Sequence, residues 1–135
     1  MGKISGPLMD RIAIHVAVQP VDVWKSSARG MTSETMRDMV MRAREIQAQR
    51  FKDTDGVDCN ARLPDGMFSA FCAMEPHAEA LFVQAQKSLL VSARARGHIV
   101  RVARTIADLD ASETITARHI MEAVGYRAQQ EGSPD

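Results

Sequence analysis

Apolar residues recur at three- and four-residue steps over much of the chain, and most such runs are bounded by residues suited to start or stop a helix. The clearest run is residues 92–109, where Ala95, Ile99, Val102, Ala103, Ile106 and Leu109 form one stripe. Ser92 precedes it as an N-cap, its hydroxyl placed to accept from an orphan N–H of the first turn. That stripe must be buried. The other face carries Arg94, Arg96, Arg101 and Arg104 against a single acid, Asp108, which predicts a basic ridge at the surface.

The same spacing predicts a helix over 33–51 that buries Met36, Met39, Val40, Ala43, Ile46 and Phe51, with Asp38 and Arg42 spaced as an i,i+4 pair outside. A short helix is expected over 65–71. Pro76 suits a first helical turn and opens a helix to about residue 90 burying Ala78, Leu81, Phe82, Ala85 and Leu89. The last helix, 116–127, starts at Thr116 with Ile115 and Ile120 at the two positions of a hydrophobic staple. Short connections between these helices predict an antiparallel bundle.

Near the N-terminus the rhythm changes to two. After a helical turn at Pro7, Ile12, Ile14, Val16 and Val18 alternate with Ala13, His15, Ala17 and Gln19 until Pro20, as in a β-strand. A lone strand leaves its backbone edges unpaired, so a sheet beyond this stretch is expected to complete it. The small, polar Lys-Ser-Ser-Ala-Arg-Gly of 25–30 reads as a linker. The expectation is therefore a mainly α chain in three parts: 1–30 with the orphan strand, a helical domain at 31–127, and a frayed tail at 128–135.

Within 135 residues there is room for one modest core, and 45% hydrophobic with 25% charged residues is the make-up of a globular domain. Seventeen basic residues balance seventeen acidic ones, so any affinity for nucleic acid or an anionic surface must come from a local patch such as the arginine ridge. No apolar run approaches a membrane span and no signal-peptide block opens the chain, which points to the cytoplasm. Cys59 and Cys72 are expected as free thiols, Cys72 filling core space.

Chemistry is sparse in this sequence. The alternating Asp53, Asp55 and Asp58 lack the bidentate glutamate of a calcium loop and read as an acidic surface turn. His15, His77, His98 and His119 form no pair at metal-ligand spacing with either cysteine, so no metal site is expected. A nucleotide-hydrolysing centre needs a glycine-rich loop ending in Lys and Ser or Thr, plus a carboxylate for magnesium; no such loop occurs here. The chain alone should not hydrolyse ATP.

Ser-Ala-Arg-Ala at 92–95, followed by Arg-Val-Ala-Arg-Thr-Ile-Ala-Asp-Leu at 101–109, resembles the lid of the magnesium-chelatase subunit I/D family of AAA+ ATPases, in its ComM-like branch. Ile-Ser-Gly-Pro-Leu-Met-Asp-Arg-Ile at 4–12 is similar to the family's approach to its last core strand. Asn60-Ala61-Arg62-Leu63, Phe71-Cys72 and Tyr126-Arg127 follow in the family's order. The resemblance implies that the orphan strand belongs to an AAA+ core and the bundle is its lid. It also implies that ATP and magnesium serve the parent protein, with neighbouring subunits in a ring, expected to be a hexamer, while the isolated chain is a monomer.

Two site residues come with the resemblance. Arg11 stands where similar proteins place the arginine finger that reaches the γ-phosphate of a neighbouring subunit's ATP. Arg94 matches the sensor-2 arginine, whose guanidinium meets the phosphates as the lid closes; whether it serves its own subunit or a neighbour is open. The bland reading of both is a surface ion pair, Arg11 with Asp10 or Asp22. The implied work is on DNA, in branch migration and transformation, or metal insertion into porphyrin. Departures from the family are Ala13 and Ala17 in the strand and Arg96-Gly97-His98 in the lid helix, where Gly97 costs about 1 kcal/mol relative to alanine and marks a contact or a kink. The competing reading is a free-standing helical interaction module that docks an acidic partner on the arginine ridge.

Overall fold

Among residues 4–20 and 30–128, which the computed structural model describes, the helices are α1 (Gly6–Arg11), α2 (Ser33–Phe51), α3 (Phe68–Phe71), α4 (Pro76–Ser88), α5 (Ala93–Leu109) and α6 (Ala117–Ala128). Two 3₁₀ turns, Asn60–Arg62 and Asp65–Met67, precede α3. The expected linker, apart from Gly30, and the tail from residue 129 lie outside the described residues. The chain is mainly helical, as its spacing predicts.

Local chemistry accounts for the helix ends. Thr32 caps α2 by accepting from the Thr35 N–H at 3.2 Å, and Ser92 caps α5 by accepting from Ala95 at 3.1 Å. At α6 the N3 residue His119 reaches back with Nδ1 to accept the Thr116 N–H at 3.0 Å, the role Glu or Gln takes in a capping box. The staple residues Ile115 and Ile120 are both buried. At the end of α5, Ala111 takes a left-handed φ of 53°, and the N–H groups of Ala111 and Ser112 close onto the carbonyls of Asp108 and Ala107. This is a Schellman motif with alanine where glycine is usual.

Helix α5 is the axis of the bundle, packed against α6, α2, α1 and the turn Asn60–Arg62. Ala95, Ile99, Ala103 and Ile106 are buried as the stripe predicts, but so are Val100 and Ala107. The core joins them to Phe51, Leu63, Cys72, Ala78, Ile115, Ile120 and Ala123. A parallel bridge between Met74 and Ile115 ties the entry to α4 to the entry to α6, through Glu75 N–H to Ile115 O at 3.0 Å and Ile115 N–H to Ala73 O at 2.8 Å.

Three expectations are corrected. First, the arginine ridge is broken: Arg94 and Arg96 are exposed, Arg101 is half-buried, and Arg104 is 1% exposed beside an equally buried Asp108. Arg104 spends its donors inside the fold, on Asp108 and on the carbonyls of Ser112 and Glu113 just past the helix end. Second, the stripe of α2 is covered only from Ala43 onward. Met36 and Val40 are exposed and Met39 half-buried, so the first half of α2 leaves its apolar stripe largely uncovered. On its outer side Arg42 donates to the Asp38 carbonyl, not to its carboxylate.

Third, residues 12–19 are extended but form no strand, since the described residues offer them no strand to pair with. His15 is the buried member of the segment; its N–H donates to Tyr126 O at 2.9 Å and its Nε2 to Met9 O at 3.1 Å. Ile12, Ile14, Val16 and Val18 are all exposed. The apolar side of the two-residue pattern is thus the side the bundle leaves open.

Candidate anion-binding site

Besides the His15–Tyr126 backbone bond, a carboxylate helps hold the N-terminal segment to the bundle. Asp10, in the last turn of α1, accepts from the Ser92 hydroxyl at 2.9 Å and faces the Arg127 guanidinium at 3.4 Å, while Arg127 also donates to Ile12 O at 2.5 Å. Ser92 therefore does two things at once: it caps α5 and anchors α1. Arg11 does not pair with Asp10, whose Oδ1 is engaged by Ser92 and Arg127; Asp22 lies outside the described residues.

Fixing α1 against the start of α5 brings the two sequence-predicted arginines together. Arg11 and Arg94 line one cavity of about 540 Å³ with His98, Arg101 and Asp65. Three of these five come from α5 at 94, 98 and 101, a four- and a three-residue step along one face. Arg11 and Arg94 are exposed and carry no ion pair among the described residues. Asp65 is the single acid of the lining.

Arg101 is held more firmly than its neighbours. Its Nε donates to Leu63 O at 2.8 Å, its Nη2 meets Asp65 Oδ1 at 2.5 Å, and its guanidinium lies 5.1 Å from the centre of the Phe68 ring. Gly97 makes this possible: a Cβ there would stand 2.7 Å from Arg101 Nη1 and 3.0 Å from Asp65 Oδ1. The mid-helix glycine marks a contact.

His98 completes the wall. Its Nε2 is buried without a hydrogen-bond partner, and burial, then the cations Arg127 and Arg101, hold its imidazole below the ordinary value, with Asp10 pulling the other way and Arg94 adding to the depression. The cavity thus presents three guanidiniums, a neutral imidazole and the N-terminal turns of α5, whose backbone dipole favours anions. It suits a phosphate-bearing ligand. His98 and Arg101 were not among the site residues expected from sequence; their spacing from Arg94 was the available signal.

Among the described residues no group of His, Cys, Asp or Glu is arranged to hold a metal ion, and no helix is long and apolar enough to cross a membrane.

Residues 30–127 match the family described as magnesium chelatase, subunit ChlI, C-terminal. The chain belongs to this family. Among its relatives it is 35% identical to the uncharacterised protein YifB of Escherichia coli and 34% identical to the competence protein ComM of Haemophilus influenzae, each match covering 95% of this chain. An uncharacterised protein of Mycobacterium bovis, Mb2921c, is 30% identical over 94% of the chain. The chain spans 25% of the length of each of these relatives.

Proposed function

We propose that this chain is the lid module of a ComM-like AAA+ ATPase and that Arg11 and Arg94 act together on the phosphates of one ATP. The observation that carries this reading is that both arginines line a single cavity although they lie on different helices. A guanidinium is always charged and forks onto two oxygens, which suits it to the charge that develops on a transferring phosphoryl group. Two arginines facing one cavity serve one nucleotide. Since Arg11 is read as the finger that reaches a neighbouring subunit's ATP, Arg94 works in trans as well.

In this reading residues 1–30 are the tail end of the AAA+ core and 31–127 the lid. The open apolar side of Ile12, Ile14, Val16 and Val18 is the surface the rest of the core sheet would cover. The phosphate loop and magnesium ligands belong to the core, in a cytoplasmic ring of subunits, taken as a hexamer. The bound nucleotide supplies the energy of phosphoryl transfer; this chain's arginines position and neutralise its phosphates. The likeness to ComM favours DNA over porphyrin as the substrate of the parent. The interaction-module reading is weakened, because Arg104 is buried and leaves the docking ridge one arginine short.

Restoring the core and mixing subunits tests the proposal. Arg11→Ala and Arg94→Ala should each lower ATP turnover by about a thousandfold. Both should recover in part when mixed with subunits whose phosphate loop is dead but whose arginines are intact. No recovery with Arg11→Ala despite mixed rings forming removes the finger assignment, and unchanged turnover in both single variants restores the interaction-module reading.

A further inference from the structure

The cavity contains one group of the wrong sign for an anion, and its placement is informative. Asp65 opens the 3₁₀ turn Asp65–Met67, its side chain is 56% exposed, and its one side-chain partner among the described residues is Arg101. Arg101 does not depend on Asp65 for its position, because the Leu63 carbonyl holds its Nε and the Phe68 ring lies against its guanidinium. Removing the carboxylate would leave a guanidinium still aimed into the cavity. An exposed ion pair is weak, whereas a polyphosphate brings several charges to Arg11, Arg94 and Arg101 at once through charge-assisted bonds.

Resting on the phosphate reading of this cavity, we propose that Asp65 is its resident counterion: it pairs with Arg101 while the cavity is empty and yields Arg101 to a phosphoryl group when a polyphosphate enters. Arg101 is then a third anion-binding arginine, beyond the two that the sequence singled out. Gly97 is the space that lets the exchange occur, since any side chain there would overlap Arg101 Nη1 and crowd Asp65 Oδ1. The device also sets selectivity. A singly charged anion gains too little to displace the aspartate, and a chain of phosphates gains enough.

The experiment is calorimetric titration of the 135-residue chain with tripolyphosphate at low salt, for the unaltered protein, Asp65→Asn and Arg94→Ala. Asp65→Asn keeps the shape and removes the competing charge, so it should bind about fivefold tighter. Arg94→Ala should bind about tenfold weaker. Asp65→Asn binding no tighter than the unaltered chain, with its circular dichroism and melting temperature retained, overturns the counterion while weaker binding by Arg94→Ala leaves the phosphate site standing. Should Asp65→Asn fail to fold, the Arg101 Nε–Hε resonance of the unaltered chain decides: it should move along the tripolyphosphate binding curve, and a stationary resonance overturns the proposal. Absence of binding to the unaltered chain overturns both the counterion and the phosphate site.

Discussion

Arg50 on α2 grips Asp108 on α5 through two hydrogen bonds, Nη1 to Oδ2 at 2.8 Å and Nη2 to Oδ1 at 2.5 Å. Asn60 Nδ2 adds a third at 2.8 Å and Arg104 Nε a fourth at 3.1 Å, so a carboxylate that is 1% exposed has both oxygens satisfied. Gln47 extends the network by accepting the Asn60 N–H. Removing the carboxylate would strand two cations in and around the core. Asp108→Ala is expected to destabilise the chain by about 3–5 kcal/mol, read from urea unfolding. A loss below about 1 kcal/mol would mean that water reaches the arginines in its place.

Ala111 pays a conformational penalty at the end of α5, with φ of 53° in the region that glycine occupies without strain. Ala111→Gly should raise stability by about 0.5–1 kcal/mol and lift the melting temperature, since the closing bonds of Ala111 and Ser112 need no side chain. An unchanged or lower melting temperature would show that the methyl group contributes packing that outweighs the strain.

His98 should make the fold sensitive to mild acid. Burial, followed by Arg127 and Arg101, lowers its folded value below the ordinary 6.5, so between the two values the unfolded chain binds more protons than the folded one. Its contribution to stability is therefore present above pH 6.5 and is lost as pH falls through 6.5 towards the folded value. Urea midpoints at about pH 7.5 and about pH 5.5 should differ less in His98→Gln than in the unaltered chain. Equal pH dependence in the two proteins would show that His98 does not set the effect.

The two free thiols should react unequally. Cys72 is buried in the core and burial pushes its thiol up to about 11, despite the nearby Arg104 and Arg50, whereas Cys59 is half-buried. With a disulfide reagent at about pH 8, one thiol per chain should titrate in the native state and two after denaturation. Rapid reaction of both in the native protein would mean that the packing between α3 and the core opens readily.

The helices and their ends were legible in the residues themselves. The limits of α2 follow from the spacing over 33–51, the start of α5 from Ser92, and the staple of α6 from Ile115 and Ile120, because a cap or a stripe involves neighbours a few positions apart. The family was legible too, in the blocks at 4–12 and 92–109. What the sequence could not determine was which charged side chains the fold would enclose. Arg104 and Asp108 look like solvated residues in the spacing of α5, and only Arg50 and Asn60 arriving from distant positions give them a reason to be buried. Nor could it place Arg11 beside Arg94. That proximity depends on Asp10 meeting Ser92 and Arg127, contacts across more than eighty residues that exist only once the bundle has closed.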